Sequence, residues 1–234
     1  MQHCGPSGRT KYGSLSRSEN TLATASYPAI YRDDYGEEAV ILHRERAGFH
    51  TTVRGVDFDS SYDLCLLEAQ LDADSSQLAT FTLNATKELR AYTLTFQMPV
   101  FVVSDNVDSE TVLDFCLQHG EATAISGSLR VTLIWNGLML TSQGKTDWAE
   151  AELNQIQSQL PAGAYLKCCL NCAYSDYNPV GGPLACFRDN REAYSQVKSK
   201  SDIFRIWHTL TEEVYEAHMC NTFRRRIPGT GYRG

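Results

Sequence analysis

SLRVTLIWNGLMLTS, residues 128–142, decides how the first part of this chain is read. Asn136-Gly137 sits between two alternating apolar runs, and that dipeptide tolerates the positive φ angles of a tight hairpin turn. Leu129, Val131, Leu133 and Trp135 fall on one side of the first run. Period-two alternation of this kind marks a half-buried strand.

Working outward, the same signal recurs over residues 37–145. AVILHRE (39–45) alternates and breaks before Gly48, which suits a turn. YDLCLLEAQL (62–71) is apolar on both faces, as a central strand would be. QLATFTLNA (77–85) and ELRAYTLTFQMPVFVV (88–103) come next; in the second, Tyr92, Leu94, Phe96 and Met98 share a side, and Pro99 marks an edge or a bend. One interruption reads as a helix: SDNVDSETVLDFCLQHG (104–120) offers Ser and Asp caps, apolar Val112, Phe115 and Cys116, and a Gly120 stop. The total is roughly six to eight strands, which suits a sandwich or an open barrel.

Past Gly144 the pattern changes. DWAEAELNQIQSQLPAG (147–163) reads as a helix capped by Asp147, with Ala149, Leu153, Ile156 and Leu160 as its apolar stripe and Pro161 as its end. KSKSDIFRIWHTLTEEVYEAHMC (198–220) reads as another, with Ile203, Trp207, Leu210, Val214 and Ala217 at helical spacing. The predicted fold is α+β. A flexible arm (1–30) precedes an antiparallel β-sandwich-like body (31–145). A helix plus a Cys-rich, small zinc-knuckle subdomain with two helices in all completes the chain (146–234).

Between the two helices lies YLKCCLNCAYSDYNPVGGPLACFR (165–188), which holds four of the eight cysteines. Cys169-Leu-Asn-Cys172 lets one tight turn aim two thiolates at a point, and a tetrahedral zinc ion needs two ligands more. Thirteen residues separate Cys172 from Cys186, and NPVGG among them is turn chemistry, so Cys186 falls on the return strand of a small hairpin. Cys220 completes the set Cys169, Cys172, Cys186, Cys220. Cys168 or His218 can replace a member. Buried free thiols, a redox CxxC and a three-ligand catalytic zinc remain open beside this structural site. Cys65 and Cys116 read as core residues and Cys4 as a bystander.

Beside the cysteines, Tyr174, Asp176, Tyr177 and Arg188 form a candidate binding edge, with Asp176 placed to accept from Arg188; the alternative is a loop that braces the knuckle. His208 and Glu212 share a helical face, as an acid/base pair or as solvated surface. Arg224-Arg225-Arg226 is a basic cluster that can touch phosphate or an acidic partner, or pair with Glu212, Glu213 and Glu216. At CLNCAYSDYNP, LACFR and the closing GTGYRG, the chain resembles an uncharacterised bacterial family of unknown function. The resemblance spans residues 165–234 and implies that Cys169, Cys172, Cys186 and Cys220 are one set. It implies no activity.

Composition narrows the rest. With 42% hydrophobic and 21% charged residues the chain is ordinary globular material, and its net charge of -7 argues against a protein that chiefly coats nucleic acid. The opening MQHCGPSGRT lacks the apolar run of a secretory leader, and no stretch suits a membrane span, which predicts a cytoplasmic protein with reduced thiols. The functional expectation is a non-enzymatic, zinc-stabilised interaction protein, of immunity or adaptor type, with another protein as its partner. Two alternatives stand beside it: an enzyme with a polar site between the β body and the knuckle, and nucleic-acid binding through the knuckle and the Arg-rich tail.

Overall fold

The computed structural model describes residues 25–45, 48–60, 64–70, 73–121 and 127–233. Four strands open the chain as an antiparallel meander: β1 (Ala25–Asp33), β2 (Gly36–Glu45), β3 (Gly48–Val53) and β4 (Val56–Ser60). The short β5 (Glu68–Ala69) pairs with β4. One helical turn, α1 (Ser75–Leu78), precedes a two-stranded ladder of β6 (Thr82–Leu83) and β7 (Leu89–Arg90). A second meander comes next: β8 (Tyr92–Ser104), β9 (Val107–His119), β10 (Ser128–Trp135) and β11 (Leu138–Thr141). Asn136 and Gly137 both have positive φ, as a two-residue hairpin turn requires.

Two expectations change here. Of the arm expected over 1–30, residues 25–30 are strand, and the remainder lies outside the described residues, as does Cys4. The helix expected over 104–120 is β9. Asp105 and Asn106 have φ of 52° and 63° and make the turn from β8, with Ser104 opposite Val107. The would-be helix caps are therefore hairpin residues. Leu113, Phe115 and Leu117 are buried at period two, while Cys116 lies on the other face.

The expected sandwich is a single ten-stranded sheet, in the order β11-β10-β9-β8-β1-β2-β3-β4-β5, with one further strand on β8. β1 joins the two meanders by pairing with both β2 and β8. Buried residues from every long strand share one face: Tyr31, Leu42, Phe49, Phe58, Leu94, Phe115 and Leu133 among them. That face rolls inward. Tyr215 packs edge-on against Phe49 on β3, with ring centres 5.0 Å apart, and lies 6.4 Å from Phe115 on β9. Four strand steps separate β3 from β9, about 19 Å in a flat sheet. One shared ring keeps the two phenylalanines within about 11 Å.

The second half of the chain covers the mouth of the roll. α2 (Ala149–Gln159) lays Leu153 and Ile156 against β10 and β11. Asp147 does not cap it; the helix starts from Trp148, and Asp147 instead accepts from the Gly127 N–H. The buried Glu152 accepts from the Gly144 and Thr146 N–H groups and the Thr146 hydroxyl, so its charge is met by three donors. β12 (Tyr165–Lys167) then pairs with β8 in the main sheet, and Leu166, Cys168, Leu170, Tyr215 and Ala217 enter the main core.

A second, three-stranded antiparallel sheet holds β13 (Ser175–Tyr177), β14 (Leu184–Cys186) and β15 (Glu212–Val214). It packs with α3 (Arg191–Ser195) and α4 (Lys200–Ile206) around Phe187, Tyr194, Val197 and Ile203. The long helix expected over 198–220 stops at Ile206, gives one tighter turn at Trp207–Thr209, and becomes β15. Its apolar residues serve two surfaces, which a single helical stripe cannot do. Ile203 lies in the small core, and Tyr215 and Ala217 lie in the large one. Among the described residues no helix is long and apolar enough to cross a membrane.

If the rolled face carries the stability, Phe115→Ala removes a fully buried ring from its middle. The expected cost is about 3–5 kcal/mol, read from the midpoint of urea unfolding at constant slope.

Candidate functional site

The cysteine turn is strapped from outside. Cys169 and Cys172 flank one tight turn, whose Cys172 N–H donates to the Cys169 carbonyl at 3.1 Å. The chain after β15 returns over it: Cys169 N–H donates to His218 O (2.7 Å), Leu170 N–H to Glu216 O (2.9 Å), Ala173 N–H to Arg224 O (2.7 Å) and Arg226 N–H to Asn171 O (2.7 Å). Cys186 stands on β14, opposite Ser175 of the hairpin partner. Cys220 lies in this return segment, not at the end of a helix, half-buried with its Sγ 3.4 Å from the Thr222 hydroxyl.

These thiols share one neighbourhood. Burial pushes the Cys169 thiol well up, and the thiols of Cys172, Cys186, Cys220 and Cys168 push it further. Burial likewise lifts Cys186 to about 11, against the Arg188 backbone N–H and side chain, with Cys172 and Cys220 adding to the rise. Cys168 is fully buried in the main core and is pushed up to about 12 by that burial, despite N–H groups of Asn171 and Leu170 directed at it. All seven described cysteines are free thiols. Burial also holds the His218 imidazole down at about 4, with Arg44 adding to the effect.

The binding edge mostly turns inward. Asp176 is fully buried and does not meet Arg188. Its Oδ1 accepts from Arg233 Nε at 2.8 Å and faces Arg226 at 3.7 Å; its Oδ2 accepts from the Tyr194 hydroxyl at 2.7 Å and the Tyr232 N–H at 3.2 Å. Tyr177 donates to Glu216 at 2.9 Å, and Arg188 pairs with Glu212. The tail arginines expected to meet Glu212, Glu213 and Glu216 divide: Arg226 and Arg233 go to Asp176, while Arg224 and Arg225 stay exposed. His208 sits in the tight turn and Glu212 on β15, so no helical face joins them.

Gly231 explains the closing Gly-Tyr-Arg sequence. Its φ is 70°, and a Cβ there would run into Asp176 Oδ2 and the Tyr194 hydroxyl. The chain passes so close that only glycine fits, and the next two residues then reach Asp176.

Tyr174 is half-buried against the small core and is met by arginines. Arg191 lies over its ring, 4.7 Å from the centroid, and Arg224 is 3.4 Å from its hydroxyl. Arg225 covers Tyr165 at 4.2 Å, and Tyr165 stacks with Phe223. Among the described residues, Arg191, Arg224 and Arg225 have no carboxylate within 4.0 Å.

A second polar cluster, at the far end of the roll, had no signal in sequence spacing. Cys65, His119 and Asp147 bring a sulfur, a ring nitrogen and a carboxylate oxygen within 4.8 Å of one another. Among the described residues this is the group of three candidate ligands at that spacing; the four knuckle thiols are near one another but more loosely set. Burial, then the charge of Arg90, holds the His119 imidazole below its ordinary value, against Asp147, the Cys65 backbone and Glu88. His119 also lines a cleft of about 570 Å³, with Arg32, Asp33, Tyr92, Gln118 and Ser128. Tyr31, Tyr92 and His119 stack in series beside it.

A rolled antiparallel sheet with a cysteine-bearing second sheet defines a β-rich α+β protein. The chain belongs to the Family of unknown function (DUF6304), whose pattern matches residues 25–175. That span holds the roll, α2, Cys169 and Cys172, and stops short of Cys186, Cys220 and the glycine-rich close on which the sequence resemblance partly rests. No curated protein and no solved structure matches the chain.

Removing the carboxylate by Asp176→Ala leaves two arginines without their shared acceptor. The expected loss is about 3–5 kcal/mol, together with faster proteolysis after Arg224 or Arg225; a loss under about 1 kcal/mol, as for a surface pair, would assign the tail's closure to other contacts.

Proposed function

We propose that this chain is a non-enzymatic interaction protein whose small sheet is held by one structural zinc ion on Cys169, Cys172, Cys186 and Cys220. The observation that supports the reading is the shared neighbourhood of four free thiols from three separate segments: the tight turn, β14 and the segment after β15. As neutral acids, these thiols are only modest core material. As thiolates they are a tetrahedral donor set. Zinc bound there would cross-link the three segments. Arg188, with Nη1 3.7 Å from Cys186 Sγ, supplies a cation beside a thiolate cluster of net negative charge. Backbone N–H donation at Cys186 acts in the same direction. Free thiols at the seven described cysteines suit a reducing compartment such as the cytoplasm.

The surface that meets a partner is the arginine–tyrosine island of Tyr174, Arg191, Arg224 and Arg225. Arginine and tyrosine are enriched where proteins recognise one another. Three guanidinium groups without acid partners, on a chain of net charge -7, favour an acidic protein as the partner. The alternative of an enzyme using Asp176, Arg188 or His208 finds little support: Asp176 and Arg188 are fully engaged within the fold.

Elemental analysis of protein purified without added metal tests the staple. About one zinc per chain at this site is expected, lost in Cys169→Ser and Cys186→Ser together with the protection of the small sheet from proteolysis. Metal content unchanged in both variants removes the staple. For the surface, the intact acidic chain is expected to be retained on immobilised poly-glutamate at low salt. The triple change Arg191→Glu, Arg224→Glu, Arg225→Glu is expected to abolish retention; equal retention of the variant removes the island. Preferential retention on single-stranded DNA would instead favour the nucleic-acid alternative.

A further inference from the structure

We propose that Cys65, His119 and Asp147 form a second divalent-cation site, of the zinc class, beside the cleft that His119 lines. It does not rest on the cysteine knuckle. The three residues come from distant segments: Cys65 between β4 and β5, His119 at the end of β9, Asp147 before α2. The rolling of the sheet brings them together, with one donor atom of each inside a 4.8 Å triangle.

The side chains are poised rather than spent. His119 is more than nine-tenths buried, and its Nε2 has no hydrogen-bond partner of normal geometry, although the Cys65 backbone lies near the ring. A ligand on that nitrogen would replace its poorly aligned contact with the Cys65 backbone. Position 127 is glycine, and a Cβ there would come within 2.7 Å of Nε2. That Cβ would press on the face of the ring, about equally close to Nε2, Cε1 and Cδ2, so only glycine fits beside His119. Asp147 Oδ2 accepts from the Gly127 N–H at 3.0 Å. Cys65 donates its thiol proton to the Asp147 backbone carbonyl at 2.8 Å, so its sulfur stands beside the carboxylate that would share the ion.

Charge and chemistry fix the class of ion. A thiolate and a carboxylate balance a divalent cation, and the imidazole adds a neutral third ligand. Sulfur and nitrogen donors select zinc or cobalt over magnesium or calcium. Arg90 does not leave a bare positive charge nearby, because it is paired with Glu88. It does set the tautomer. Arg90 Nη1 lies 3.2 Å from His119 Nδ1 and donates to it, so the ring proton of the ion-free form sits on Nε2. On loading, the Cys65 thiol proton and the Nε2 proton leave those atoms. The ring is re-protonated at Nδ1, one proton passes to solvent, and Arg90 keeps Glu88 while releasing Nδ1. Three protein ligands leave a fourth coordination position, which water could fill.

The test is a cobalt(II) titration of the chelator-treated full chain, with bound metal counted by elemental analysis and thiolate ligation followed by near-ultraviolet charge transfer. Cys186→Ser, with the knuckle disabled, is expected to retain one cobalt with the absorbance of a single thiolate. His119→Gln and Asp147→Asn are each expected to lose that ion and leave the knuckle's ion in place. If the knuckle binds nothing, the wild type binds one ion that His119→Gln abolishes, which supports this site while refuting the staple. Arg90→Gln covers the case in which those variants fail to fold: freed of the competing donor, it is expected to bind cobalt about tenfold more tightly. Wild-type stoichiometry and affinity in His119→Gln and Asp147→Asn overturn the proposal, as does unchanged or weaker binding in Arg90→Gln.

Discussion

A wide sheet that is apolar on one side has to hide that side, and this chain hides it by rolling. Tyr215, between Phe49 and Phe115, is the contact that records the roll. The arrangement of every later element depends on that closure. The helix at 149–159 and the segment at 165–170 lie where the roll would otherwise gape. The second sheet is fastened to the first because the residues after β15 must pass from one core into the other. The polar ends of four neighbouring strands, β1, β8, β9 and β10, line one cleft with Asp33, Tyr92, His119 and Ser128.

The hairpin at 128–142 could be read from its dipeptide and alternation, and so could the strands that carry Val40, Leu42, Leu94 and Phe96. Residues 107–119 could not, because Val112, Phe115 and Cys116 fit a helical face as well as Leu113, Phe115 and Leu117 fit a strand. Only the partner strands choose between them. The same ambiguity hid β15: Val214 and Ala217 match the spacing of the helix that begins at Lys200, but pairing of Glu212–Val214 with β14 outweighs local preference. A sandwich was inferred from strand count alone. Count does not distinguish two flat layers from one curved one.

The cysteine neighbourhood was legible because its members announce themselves by type and by a short internal spacing. Its surroundings were not. Asp176 was expected to face Arg188 across the hairpin, yet its partners are Arg226 and Arg233, supplied by a tail whose approach depends on the absence of one Cβ at Gly231. Cys65, His119 and Asp147 lie on three elements that meet only when the sheet has rolled, so nothing in their spacing could mark them.

The middle of the sheet also shapes the path by which this molecule reaches its native form. β2, β3 and β4 follow β1, and β9, β10 and β11 follow β8, as successive antiparallel neighbours, so each meander can zip from local contacts. The seam between them pairs Ala29 with Phe96 and Asp33 with Tyr92, across an intervening stretch that itself holds six strands, β2 to β7. Until that seam forms, each half carries an unpaired strand and an uncovered apolar face. Slow docking of two preformed halves, with the largest risk of mispairing at that one junction, is the kinetic signature such a topology carries.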